Sequence, residues 1–120
     1  MLLFQRNHID MICMGTKTQT RRLISRYKKG AKKGEVVPSK KVGSIQQCRV
    51  KLFGVPHCHI RITRVWQERL GDISKIDAHQ EGGYSPDEYI AGLIEMHNRK
   101  LTVDSVLWCY EFELVMEGAA

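Results

Sequence analysis

No apolar run in this chain approaches the ~18 to 20 residues that cross a membrane. The first residues, Met1-Leu2-Leu3-Phe4-Gln5-Arg6, turn polar too soon for a secretory leader. The expectation is a cytoplasmic protein with no membrane partner. Cysteine is scarce as well. Cys13, Cys48, Cys58 and Cys109 are scattered through stretches that read as helix and strand, which suits small buried hydrophobes in a reducing compartment better than two disulfides. No C-x-x-C or H-x-x-x-H pair is present, and in Pro56-His57-Cys58-His59 a strand would leave only His57 and His59 on one side. Neither a metal nor a cofactor is therefore expected. No repeat and no second domain is visible, so residues 1–120 read as one domain, long enough to bury a core without staples.

Acid is nearly absent from one stretch. Between Lys17 and Lys41 lie ten basic residues, among them Arg21, Arg22, Lys28, Lys29, Lys32 and Lys33, against the single acid Glu35. That stretch carries +9 of a net +6, so the rest of the chain is negative by three. Such asymmetry is the footprint of a polyanion-binding surface, although a solubilising lysine loop produces it too. The arginines at its start suit phosphate forks, which favours RNA or another nucleic acid as partner. Gly15-Thr16-Lys17-Thr18-Gln19-Thr20-Arg21-Arg22 opens it with hydroxyls, an amide and cations and nothing to bury. This is the candidate site.

The elements follow from local pattern. Leu2 to Phe4 reads as a first strand. Asn7 is a plausible N-cap for a helix to Met14, with Asp10 in its first turn, Ile9, Ile12 and Cys13 on one face and Gly15 as a left-handed C-cap. Thr16 to Leu23 is strand-like, yet Lys17 and Thr20 face opposite ways on a straight strand, so a shared pocket demands a bulge between them. Ile24 to Ser44 reads as a long excursion with a short strand near Glu35 to Val37. Cys48 to Phe53 and Cys58 to Val65 alternate as strands, and Ser74 or Lys75 opens a short helix to about Gln80. Glu81-Gly82-Gly83-Tyr84 then reads as a flexible turn. Ser85-Pro86-Asp87-Glu88 is a capping box for a helix that places Tyr89, Ile90, Leu93 and Ile94 on an apolar face and ends near His97. Val106 to Val115 closes the chain as a strand. The order points to an α+β fold: a small, mostly antiparallel β-barrel of five or six strands with helices packed over its ends.

On these residues the chain resembles the ASCH domain family, small barrels related to the PUA RNA-binding fold. The resemblance rests on Ile12-Cys13-Met14-Gly15-Thr16-Lys17-Thr18-Gln19-Thr20-Arg21-Arg22, joined by Asp77-Ala78-x-x-Glu81-Gly82 and Trp108-x-Tyr110-x-Phe112. It implies a cleft beside the barrel, lined by the motif and suited to RNA or a nucleotide-like ligand. One branch of the family resembles small amidohydrolases acting on acetylated cytidine through a lysine, a threonine three residues later and a glutamate on a central strand. Lys17 and Thr20 match the first two, but Arg61 stands where that glutamate would be.

Two readings follow. In the first, Lys17, Arg21, Arg22 and Arg61 form an anion cradle, Lys28, Lys29, Lys32 and Lys33 clamp a backbone, and Trp66 or Tyr84 stacks a base, core packing being the blander fate of either aromatic. In the second, the chain is a small hydrolase of a modified nucleoside or an RNA phosphodiester, with Lys17 and Thr20 at its centre and Glu81 as acid or base. Arg61 would then lower the Lys17 pKa without replacing a carboxylate. The blander alternatives are a solvated strand edge for Lys17 and Thr20 and a surface acid for Glu81. A third, duller reading, an interaction domain whose basic loop docks an acidic protein, is compatible with the charge asymmetry taken alone.

Overall fold

The computed structural model describes residues 1–24 and 37–116. Among the described residues nine elements follow one another: β1 (Leu2–Leu3), α1 (Arg6–Cys13), β2 (Gln19–Leu23), β3 (Ile45–Arg49), β4 (Cys58–Arg69), a 3₁₀ turn (Leu70–Asp72), α2 (Lys75–Gly82), α3 (Pro86–Met96) and β5 (Val106–Val115). The strands form one sheet in the order β1-β3-β4-β5-β2. Only β1 with β3 is parallel; the other pairs are antiparallel. The sheet curls into an open barrel, and its two edge strands face each other. Across that gap the Arg22 guanidinium of β2 donates to the Leu3 carbonyl of β1 at 2.9 Å.

Burial explains the curl. Alternation on β4 puts Ile60 and Ile62 inside at 0% exposure, while β5 contributes Tyr110 and Phe112 to the same core and α1 plugs it with Ile9 and Ile12. A register shift between Ile62 and Arg64 bends the long β4 strand, as a bulge does. Past the bend, Leu70, Ile73, Ala78, Tyr89, Leu101 and Leu107 build a second core under α2 and α3, against which Ile90, Leu93 and Ile94 pack. Burying each such side chain stabilises the fold by about 1.5 to 3 kcal/mol.

Several local expectations hold. The Ser85 capping box forms in both directions with Pro86 in the first turn, and β5 occupies the residues that its alternation marked out. Gly15 takes φ 79° just past the end of α1. Others need correction. Gln5, not Asn7, caps α1, with no side-chain cap bond and no acid in its first turn. The third strand lies at Ile45–Arg49 rather than from Cys48 to Phe53, because pairing to β4 in register Ile45 with Arg61 through Cys48 with Cys58 overrides local alternation. Cys13 is exposed, and all four cysteines are free thiols. The strand expected near Glu35 to Val37 lies mostly outside the described residues, as do Lys28, Lys29, Lys32 and Lys33; Val37 itself is in no strand. Among the described residues, no helix is long and apolar enough to cross a membrane and no cluster of ligand-type side chains could hold a metal ion.

Candidate functional site

A cleft of about 530 Å³ opens where the two sheet edges meet α3. Phe4 from the end of β1, His8 from α1, Lys17, Thr20, Arg21 and Arg22 from the motif, Glu81 from α2, and Tyr84 and Tyr89 line it. Lys17 and Thr20 share it without a bulge because Lys17 precedes β2, so the strand's parity does not bind it. Backbone bonds fix that loop: Thr16 and Lys17 amides donate to the Met11 carbonyl, and the Thr18 amide donates to the Gln80 carbonyl at 2.9 Å.

Glu81 is the centre of the floor. It is not in a flexible turn but in the last turn of α2, and it is only 2% exposed. Its Oε2 accepts from Arg21 Nη1 at 2.8 Å and its Oε1 lies 3.3 Å from Lys17 Nζ. The Lys17 ammonium also donates to the Glu81 carbonyl at 2.6 Å and the Gln19 carbonyl at 2.8 Å, so its three protons are all engaged. Arg21 continues the network to Glu68 at 2.9 Å and Asp77 at 3.6 Å. Gln19, fully buried beside it, donates to Gln80 at 2.8 Å and Asp77 at 3.0 Å; a third contact, to Glu111 at 3.3 Å, exceeds the two protons available. Asp77, Gln80 and Glu81 have the i, i+3, i+4 spacing of one helix face, a signal in the sequence for the side of α2 that docks on β2.

The charges respond to this burial. Burial lowers the Lys17 pKa from its ordinary value, against the pull of Glu81. Burial also opposes the charge on Arg21, but the Glu81 and Glu68 carboxylates more than offset it and hold the guanidinium protonated. Arg22 is different. It bonds Thr20 Oγ1 at 3.1 Å and the Leu3 carbonyl, and lies 4.8 Å from the Phe4 ring, with no carboxylate in ion-pair range among the described residues. Among the described residues the Thr20 hydroxyl has no acceptor for its own proton.

The expected anion cradle of Lys17, Arg21 and Arg61 is therefore not what forms. Lys17 and Arg21 are matched by acids, and Arg61 faces solvent on the outside of β4, paired to Glu113 at 2.8 Å. It sits there because its neighbours Ile60 and Ile62 take the core face. Arg61 is thus no source of the lowered Lys17 pKa. Trp66 lies outside the cleft, with the Arg64 guanidinium 3.8 Å from its ring centre. Tyr84 does reach the cleft. Gly83 at φ 83° turns the chain there, and a side chain on Gly82 would meet the Tyr84 ring at 2.9 Å, so the glycine pair sets the ring's position.

His8, Tyr89 and Glu88 were not legible as cleft residues from spacing. His8 Nε2 lies 2.9 Å from the Tyr84 hydroxyl. Burial, then the nearby Lys17 charge, lowers its pKa below the ordinary 6.5. The neutral imidazole's contribution is thus complete above that ordinary value and is lost as pH falls through the lower folded value. Melting curves from about pH 7.5 to 4.5 should show a steeper loss of Tm for wild type than for His8→Gln. Parallel curves would remove this role.

No family profile and no curated protein sequence matches the chain. Solved structures do. An ASCH domain from Lactobacillus crispatus JV V101 is 24% identical with a TM-score of 0.70, covering 95% of this chain and 76% of that one. Protein EF3133 from Enterococcus faecalis V583, assigned to DUF984, is 25% identical with a TM-score of 0.66, covering 92% and 71%. The hypothetical protein PH0355 is 18% identical with a TM-score of 0.60, covering 93% and 94%.

Proposed function

From the premise of an ASCH-domain fold, which the structural likeness establishes and the motif resemblance implied, we propose that the chain binds a nucleotide-like unit, in RNA or free, within the cleft between β1, β2 and α3. The observation that carries this reading is the position of Arg22. It is the motif cation with no matching acid among the described residues, bonded to the Thr20 hydroxyl in a cleft that the aromatic pair His8 and Tyr84 also lines. A phosphate suits that guanidinium, and a base suits the rings. Lys28, Lys29, Lys32 and Lys33 would add phosphate contacts to a longer strand, and their density supports a polyanion partner.

Titration of a labelled single-stranded RNA tests the reading. Affinity should fall with salt at a log-log slope of ~0.7 per phosphate contact, and Arg22→Ala should lower that slope by about one contact. Gly92 on the α3 wall faces open space, with nothing within 4 Å of where a side chain would begin. Gly92→Phe should therefore fold normally and block the cleft, reducing affinity at least about tenfold through lost contact and desolvation. A flat salt response, or full affinity in Gly92→Phe, would place the ligand elsewhere.

A second reading is favoured by one contact, the buried Glu81 carboxylate against Lys17 Nζ. Glu81 supplies the carboxylate that Arg61 replaces on β4. An amide substrate such as acetylated cytidine would be attacked at its carbonyl by Thr20 Oγ, whose proton would pass to the Lys17 amine once Lys17 has given up a proton and turned from its present partners toward the hydroxyl. The leaving amine takes that proton as the C–N bond breaks, and water then hydrolyses the acyl-threonine ester. Burial of Lys17 supports this by favouring the neutral amine. Release of acetate from acetylated cytidine is the assay.

A further inference from the structure

The β3–β4 connection holds an apolar apex out in water. Gly54 N donates to the Lys51 carbonyl at 3.0 Å and His57 N to the Cys48 carbonyl at 2.9 Å, closing the turn, while Arg49 Nη1 donates to the Leu52 carbonyl at 3.0 Å. At its tip Phe53 is 95% exposed, beside Val55 at 78% and Leu52 at 51%. A large ring this far from any core contributes nothing to folding, and such a patch marks a contact surface.

Beside it lies a hollow of about 410 Å³ lined by Arg6, Val50, Lys51, Gly54, Val55 and His57. Its lining joins the aliphatic Val50 and Val55 to the cationic Arg6 and Lys51. Arg6 also meets Asp10 at 3.8 Å, an exposed pair that weakly competes for it. From residue 36 to residue 67 the sequence has no acid at all, but six lysines and arginines. Val50 lines both this hollow and the main cleft, so the two adjoin across one side chain.

We propose that Phe53 and this hollow hold the next base of a single-stranded nucleic acid whose neighbouring unit occupies the cleft, with Arg6 and Lys51 on the intervening phosphate. The inference rests on the nucleotide-binding reading of the cleft and extends it to a two-base track. Base-on-aromatic stacking is sequence-tolerant, because every base has a π face. An anionic lipid surface would also accept a phenyl ring among cations, but a flat surface makes no use of a hollow that adjoins a cleft across the single side chain of Val50.

The test compares a labelled RNA of about ten nucleotides with labelled cytidine 5′-monophosphate, on wild type, Phe53→Ala and Phe53→Trp. Phe53→Ala should weaken the oligonucleotide about tenfold and leave the mononucleotide unchanged, as loss of one stacked base predicts. Phe53→Trp should restore affinity, with tryptophan emission quenched by the oligonucleotide. Oligonucleotide affinity unaltered in Phe53→Ala overturns this inference alone, since mononucleotide binding keeps the cleft reading. Neither probe binding to wild type overturns both. Pelleting with phosphatidylserine–phosphatidylcholine vesicles that Phe53→Ala abolishes, with RNA binding unchanged, assigns the apex to lipid and overturns the proposal. Because the ring touches no core, none of these variants should lose its fold.

Discussion

Glu81→Leu should lower the midpoint of thermal unfolding by roughly 10 to 15 °C. The residue is 2% exposed and bridges Lys17 and Arg21, themselves 3% and 5% exposed. Removing one member of a buried ion network leaves the others desolvated, at a cost of about 3 to 5 kcal/mol. Lys17 keeps two carbonyl acceptors and Arg21 keeps Glu68, so the lower end applies. Even about 3 kcal/mol is a large share of the 5 to 15 kcal/mol that typically holds a domain together. Glu81→Gln, which preserves shape and one acceptor, should lose less. The exposed Glu95, 3.8 Å from Arg99, is the control: Glu95→Leu should move the midpoint hardly at all. A Glu81→Leu protein melting with the wild type would show that the network under the cleft is not holding α2 to β2.

Lys17→Ala and Thr20→Val should each cut the rate of acetate release from acetylated cytidine by about a hundredfold or more, the usual scale for a removed proton-transfer group or nucleophile. Conservative replacements sharpen the assignment. Thr20→Ser keeps a hydroxyl and should retain turnover. Lys17→Arg keeps the charge but cannot surrender a proton, so it should be as inactive as the alanine variant. Arg61→Ala should be fully active, because that side chain lies on the outer face of β4 with Glu113. Circular dichroism on each variant separates lost chemistry from lost fold. No turnover by wild type would end the hydrolase reading and leave ligand binding standing.

The contrast between Glu81 and Arg61 shows where reading from pattern stops. The family resemblance put Arg61 at the cavity and the glycine turn offered Glu81 to it; only Glu81 is there. The Arg61 position followed from alternation on β4 once Ile60 and Ile62 were seen to be core, so its outward direction was implicit in the chain. The fate of Glu81 was not. Two glycines after it suggested a loose turn, whereas Gly83 at φ 83° ends a helix whose final turn presses that carboxylate against β2. Likewise the motif's cations read as a positive surface, since the acids that neutralise them come from residues 68, 77 and 81.

By itself the sequence determined the helix bounded by Ser85, the closing strand from Val106 to Val115, the glycine stop after α1 and the mixed, mostly antiparallel class of fold. Each of these depends on side chains within a few residues of one another, where capping, alternation and backbone freedom act. Only the tertiary structure decided the strand order, the start of β3 and the net charge of the cleft. Those depend on which distant groups pair once the sheet curls and its edges meet. A buried carboxylate's partners are chosen by that packing, and no spacing along the chain records it.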